Sequence, residues 1–244
     1  MIIMIKELWR WLILPLLLVG TGILIVIYTV NNPTDSLVAR ALTYNNVLKG
    51  LHEHLMLMVV SMFGAIFIGV LVGIMLSRPR LYYVGRGVEN VVNVGQTIPS
   101  LAILALFFTI LGLGFRVAVF ALFLYSILPI LRNTFAGIVN VPGSIVESAV
   151  GMGMSPIRIL ARIELPLSFP IIVAVIRTAI VINVGAATLA TFIGGGGFGD
   201  LIVTGLSLRR DMIVFTGAGL AALTAIILDY YIAQVENKLV KWTE

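Results

Sequence analysis

Long apolar runs separated by short polar breaks dominate the chain. Residues 11–30, 55–76, 91–111, 116–132, 171–193 and 213–233 are mostly Leu, Ile, Val, Phe, Ala and Gly. A helix rises about 1.5 Å per residue, so roughly 17–25 such residues cross a hydrocarbon core about 30 Å thick. The pattern predicts an all-α, polytopic transmembrane bundle of about six spans, because helices satisfy their own backbone groups in lipid. Residues 201–208 are apolar but too short to cross, and read as a short helix or re-entrant piece after a glycine-rich loop.

Breaks in the pattern carry the detail. The first run has Pro15 near its start and Tyr28 near its far interface, and is expected to be a retained anchor. The small pair Ala39 and Ala41, of the type a signal peptidase cleaves, lies well past the run. Residues 31–54 are polar and end in His52-Glu53-His54, expected to be a solvated lead-in to the second span. Histidines at i and i+2 on a helix face different ways, and the chain has only 2 histidines, so no metal is expected. In the second span Gly64, Gly69 and Gly73 permit close helix packing. In the third, Glu89, Asn93, Gln96, Thr97 and Ser100 fall on one helical face, and Pro99 should perturb the helix. The fourth is expected to close at Pro129 and Arg132. The fifth aligns Ala179, Asn183, Ala186, Ala187 and Ala190, with Arg177 near the inner end, positioned to snorkel. Gly194, Gly195, Gly196 and Gly197 form no dinucleotide fingerprint, for want of a surrounding strand and crossover helix.

Composition agrees with the pattern: 60% of the 244 residues are hydrophobic and 11% charged, far from a soluble domain. Cysteine is absent, which excludes disulfides and thiolate metal sites. The net charge of +5 is not gathered into a nucleic-acid patch; it marks topology. With the N-terminus inside, Lys6, Arg10, Arg78, Arg80, Arg86, Arg132, Arg158, Arg162, Lys238 and Lys241 are cytoplasmic. Arg40, Lys49, Arg116, Arg209 and Arg210 are external. That bias predicts both termini in the cytoplasm.

The longest interlude that is neither span nor turn is Ser144–Pro166. Ser144 and Glu147 have capping-box spacing. A first helix should end near Gly151–Gly153, and Ser155-Pro156 should start a second as N-cap and first turn. There Ile159, Leu160 and Ile163 make an apolar face and Arg158 and Arg162 a basic one, with Leu165-Pro166 as the end. By these features alone the segment is an amphipathic hairpin fit for a bilayer surface.

The same segment resembles the signature cytoplasmic loop of ABC-importer permeases: Glu-Ala-Ala, three residues, Gly, nine residues, Ile, one residue, Leu-Pro. Glu147, Ala149, Gly153, Ile163, Leu165 and Pro166 fall at those spacings, with Ser148 replacing the first alanine. Gly151, Met154, Ser155 and Pro156 complete the turn of the expected ATPase-coupling loop, within a cytoplasmic segment 133–170. Further stretches resemble the permeases of osmoprotectant importers. They are Gln96–Ser100, Leu124–Thr134, Gly151–Ser155, Glu164–Leu167 and Ile193–Gly199, and the similarity runs over about 55–235.

The resemblance implies the type I importer permease fold. It divides the chain into an anchor span with external loop over 1–54, a permease core over 55–235 and a cytoplasmic tail over 236–244. It implies carriage of glycine betaine, choline, carnitine or a related compound. The partners implied are an ABC ATPase subunit, a separate substrate-binding protein and a second permease subunit, identical or paralogous, in an inner membrane whose lipid surrounds them; no nucleic acid and no cofactor are implied. The chain lacks a Gly-x-x-x-x-Gly-Lys-Ser/Thr phosphate loop, so ATP hydrolysis falls to the partner and the chain is not itself an enzyme. Gly194–Gly197 become an outer gate or binding-protein contact, against a plain flexible loop. Gln96, Thr97, Ser100 and Asn183 either pack helices or line the translocation path. Alternative functions are a permease for another small solute such as an amino acid, or an ATP-independent secondary transporter. The latter would want an intramembrane carboxylate, and no span holds a central one.

The charge bias makes a direct prediction. Single cysteines replacing Asn46 and Ser144 should react with a membrane-impermeant maleimide from opposite sides, Asn46 from outside. Labelling of both from one side contradicts the six-span topology.

Overall fold

The computed structural model describes residues 2–240, with side chains from residue 12 to 238. The side chains of Lys6, Trp9 and Arg10, and all of Lys241, lie outside the described residues. Among the described residues every regular element is a helix. They run α1 Ile2–Asn31, α2 Ser36–Ala41, α3 Tyr44–Leu76, α4 Tyr82–Gly95, α5 Ser100–Leu111, α6 Phe115–Val139, α7 Gly143–Gly151, α8 Pro156–Ile159, α9 Leu165–Leu189, α10 Phe198–Leu208 and α11 Asp211–Val240. Five stretches are long and apolar enough to span a membrane alone, and α4 with α5 supplies a sixth as a broken pair bent by 99°.

The second span begins well before residue 55. Thr43 caps α3 by accepting the Asn46 N–H at 3.1 Å, and the helix then runs unbroken for 33 residues. Val47, Gly50, His54, Leu57, Met58 and Ser61 are buried along it at three- and four-residue steps. His54 is therefore no solvated lead-in. It is fully buried, its ring 5.2 Å from that of Phe198. The fourth span likewise passes the expected stop at Pro129 and Arg132. Proline removes one helical hydrogen bond, yet neighbouring helices hold α6 straight through to Val139.

The third span departs most. Residues 96–99 break the helix, so Gln96 ends α4 while Ser100 begins α5, and the single polar face expected across Glu89–Ser100 does not form. Pro99 is the cause. It disfavours helical geometry at Ile98 and takes up an extended conformation itself, with φ −58° and ψ 139°.

The fifth span departs in the other direction. Leu165-Pro166 does not end the preceding helix. Pro156–Ile193 is one long rod, in which α8 passes through a π-turn at Leu160–Glu164 into α9. The turn widens the register so that the Leu165 N–H reaches the Leu160 carbonyl, and Pro166 falls in the first turn of α9, where its missing N–H is harmless. Arg177 does not snorkel. Its guanidinium grips Asp229 of α11 at 2.7 and 3.0 Å and Glu236 at 3.1 Å.

The two largest apolar clusters among the described residues each join four helices. One joins α3, α5, α6 and α9 through Leu57, Leu104, Leu122 and Ala187; the other joins α2, α3, α10 and α11 through Val38, Val47, Phe198 and Ile213. The most extensive helix contact is α3 on α6. A Cβ on Gly73 would stand 2.7 Å from the Thr134 Cβ and 3.0 Å from the Leu131 carbonyl, far inside van der Waals contact. Gly73→Ala should therefore destabilise the bundle by about 1–3 kcal/mol, seen as a lower melting temperature in detergent. Gly151→Ala, which meets no neighbour within 4 Å, is the control.

Candidate functional site

The candidate residues fall into three groups: at one end of the bundle, at its middle and at the other end. The first is the loop between α6 and α9. α7 starts at Gly143 behind an extended Pro142, which places Ser144 inside the first turn. The capping box is therefore absent: no side chain caps α7, and Glu147 is exposed. The turn itself forms as the glycines require. Gly153 has φ +75°, the Gly153 N–H donates to the Val150 carbonyl at 2.9 Å, and the Met154 N–H donates to the Ala149 carbonyl at 3.1 Å. This pair of bonds is a Schellman close, and it needs a left-handed residue at Gly153. Ser155 stands at the N-cap of α8 with extended geometry, though its hydroxyl makes no cap bond, and Pro156 takes the first turn.

Ala149 is buried and anchors the hairpin, while Gly151, Met152, Gly153, Ile157 and Arg158 are exposed. Met152 and Ile157 keep 74% and 79% of their surface open, apolar side chains that no described residue covers. Ile163, Leu165 and Pro166 lie on the rod leading back to the membrane, Ile163 in the π-turn. Between Ile163 and Leu165, Glu164 meets Arg78 from the α3–α4 loop at 2.7 Å, which ties the base of the hairpin to the second span. The apolar pattern had no way to show that pair, since the two residues are far apart in sequence.

The second group lies midway along α6. The Asn183 side chain is fully buried. Its Nδ2 donates to Ser126 Oγ at 2.7 Å and to Ser61 Oγ at 3.2 Å, and Ser61 Oγ lies 3.3 Å from its Oδ1. One carboxamide thus links α9, α6 and α3. Ser61 and Ser126 were missed by sequence reasoning, although single serines in apolar runs are a signal in themselves. Ala179, Ala186, Ala187 and Ala190 are buried on the same face of the rod, as the spacing predicts. Next to this node is a cavity of about 170 Å³ lined by Gln96, Tyr125, Ser126, Pro129, Ala179 and Ile182. Gln96 Nε2 is enclosed without a hydrogen-bond partner. Thr97 is exposed, its hydroxyl spent on the Val94 carbonyl at 2.7 Å, and Ser100 is half-buried. Asn183 lies behind the cavity wall, and Gln96 in it.

The third group sits at the opposite end from the hairpin. Gly194, Gly196 and Gly197 have φ of +73°, +79° and +92°. Gly195 is buried against Ala118 and Ala190, where a Cβ would come within 2.8 Å of both. The Gly197 N–H donates to Glu53 Oε2 at 3.0 Å, and the Gly114 N–H donates to the Ile193 carbonyl at 2.8 Å. The glycine run is thus a tightly packed corner between α3, α6 and α9. Nearby, Arg210 pairs with Asp35, the cap of α2. The Val38 amide, with the Arg210 guanidinium and the Leu37 amide, holds the Asp35 carboxyl below the usual carboxylate range.

Residues 65–241 match the family model described as binding-protein-dependent transport system inner membrane component. The chain belongs to this family. It is a multi-pass membrane transport component rather than an enzyme. Similarity to individual permeases is extensive. The chain is 43% identical over 189 residues to the choline transport system permease protein OpuBB of Bacillus subtilis, covering 77% of this chain and 86% of that one. It is 45% identical over 187 residues to the osmoprotectant import permease protein OsmY of Salmonella typhimurium, covering 77% and 79%. It is 45% identical over 188 residues to the glycine betaine/carnitine/choline transport system permease protein OpuCB of Bacillus subtilis, covering 77% and 85%. In fold it is similar to the inward-facing MetNI methionine ABC transporter, with TM-score 0.69 at 21% identity, covering 80% of this chain and 96% of that chain. The fold is that of a type I ABC importer permease.

The hairpin turn can be probed at Gly153. A side chain on Gly153 meets no neighbour within 4 Å, so the only intramolecular penalty is left-handed backbone geometry, about 1–2 kcal/mol. Gly153→Asp should leave the permease in the membrane and folded, while ATPase stimulation and uptake fall together. Glu147→Gln, at an exposed position without a cap bond, should be nearly silent in the same two assays.

Proposed function

We propose that the chain is the transmembrane permease subunit of an ATP-binding-cassette importer that brings a small osmoprotectant, of the quaternary amine or betaine type, into the cell. The observation that carries the substrate class is the similarity of most of the chain to permeases named for choline, glycine betaine and carnitine, at 43–45% identity. The hairpin supports the coupling. Met152 and Ile157 form an exposed apolar tip on a rigid glycine turn, the shape of a knob that fits a groove on a partner ATPase.

In this reading both termini and the α6–α9 hairpin are cytoplasmic, as the positive charges indicate. A separate ATPase docks on Glu147–Pro166. A separate substrate-binding protein meets the outer end, where Gly194–Gly197 form the gate corner. A second permease subunit, identical or paralogous, completes the path beside Gln96, Thr97 and Ser100. The chain's own chemistry is conformational. Closure of the ATPase pair moves the hairpins, and the rod Pro156–Ile193 carries that movement across the membrane.

The test is reconstitution of the permease with its cognate ATPase and binding protein in liposomes, followed by uptake of radiolabelled glycine betaine, carnitine and choline. Uptake of at least one should require internal ATP and the binding protein together. Uptake driven by an ion gradient without ATP would refute the importer. ATP-driven uptake of an amino acid, with none of the three probes transported, would refute the substrate class.

A further inference from the structure

The cavity midway through the bundle holds more chemistry than a packing defect. Backbone leaves helical geometry at membrane depth only where protein or water meets its polar groups. Here the α4–α5 break places Gln96 at the cavity, together with Tyr125 and Ser126 of α6 and Ala179 and Ile182 of α9. Gln96 Nε2 is enclosed and unpartnered, and an enclosed donor without an acceptor is a standing penalty that a suitable ligand would relieve. Ser126 Oγ accepts a hydrogen bond from Asn183 at 2.7 Å. Among the described residues nothing accepts its proton in return, so its hydroxyl is a second donor at the same wall.

Tyr125 lines the cavity too, and Pro129, four residues on, has no N–H to give its carbonyl. An electron-rich ring suits the positive skin of a quaternary ammonium. Pro129, Ala179 and Ile182 supply apolar contact, and no carboxylate lines the cavity. At about 30 Å³ per water, the volume of about 170 Å³ holds some five or six water-sized groups. That is the scale of a trimethylammonium group joined to a carboxylate.

We propose that this cavity is a weak binding station for a zwitterion. The arriving ligand turns the Gln96 carboxamide and the Ser126 hydroxyl, both closed off in its absence, toward its carboxylate, and its quaternary ammonium rests beside Tyr125. The cavity thereby passes betaines in preference to cations that carry no carboxylate. The inference rests on the osmoprotectant reading and adds a selectivity step inside the permease, after release from the binding protein. Weakness is part of the design, since a tight site on a path traps its cargo. Asn183 acts as a positioning residue: by donating to Ser126 it turns that hydroxyl into a donor.

The experiment uses the assembled permease–ATPase complex in nanodiscs, without binding protein, and saturation-transfer NMR with glycine betaine and choline as probes. Wild type should transfer saturation more strongly to glycine betaine. Gln96→Glu, which keeps the size of the side chain, replaces the donor by a carboxylate and should shift the betaine-to-choline ratio toward choline by about tenfold or more. Gln96→Leu should lose the preference without reversing it, and Ala179→Met, which fills the cavity and leaves Gln96 in place, should abolish transfer to both. ATPase stimulation certifies that each variant is assembled. An unchanged ratio in both Gln96 variants overturns the site, as does undiminished transfer in Ala179→Met. Failure of ATP-driven uptake of any quaternary amine by the wild-type importer removes the functional reading and this inference with it. Intact uptake with an unaltered probe ratio removes only this site.

Discussion

In lipid a polar group has no water to fall back on, and this permease meets that constraint by letting one carboxamide serve three helices. Asn183 of the fifth span binds Ser126 of the fourth and Ser61 of the second, fully enclosed. The alanines above and below it bring the helices close enough for those bonds to form. Loss of Asn183 would leave the Ser126 hydroxyl unsatisfied, at about 1–3 kcal/mol, whereas Ser61 keeps its bond to the Met58 carbonyl. The node therefore fixes the mutual rotation of three spans, and with it the wall of the central cavity.

Prolines follow the same constraint with opposite results. Pro99 breaks the third span outright, because Ile98 before it cannot stay helical and residues 96–99 sit where the bundle leaves space. Pro166 is absorbed, because the π-turn at Leu160–Glu164 shifts the register just before it. Pro129 sits in the middle of α6 and leaves the Tyr125 carbonyl without its helical donor. One residue type thus serves as a break, a joint and an opened carbonyl, according to what the neighbouring helices supply.

Much of this was legible in the sequence. Apolar runs locate the spans because lipid demands them, and the Gly153 turn is legible because a left-handed residue closes the hairpin. The alanine face of the fifth span appears as spaced. Helix ends were less legible. A run of hydropathy marks what lies in lipid, whereas α3 begins at Tyr44 because a buried stripe from Val47 to Ser61 continues the helix through polar residues. The glycine corner was half legible. Four glycines announce irregular backbone, but their burial against Ala118 and their bond to Glu53 are tertiary facts. The pairs Arg78–Glu164 and Arg177–Asp229 were invisible for the same reason: charge partners distant in sequence leave no periodic trace.

The rod from Pro156 to Ile193 has a mechanical consequence. One end carries the hairpin turn and the other the glycine corner, with no loop between them to absorb strain. At about 1.5 Å per residue, the stretch from the π-turn to Ile193 is a lever roughly 40 Å long. A tilt of about 10° at the hairpin would sweep the far end through about 7 Å. Such a displacement is too large for the close glycine packing at that corner to follow elastically. Under such a tilt the corner would have to stay seated or let go as a unit, because its buried glycine leaves no slack against Ala118 and Ala190.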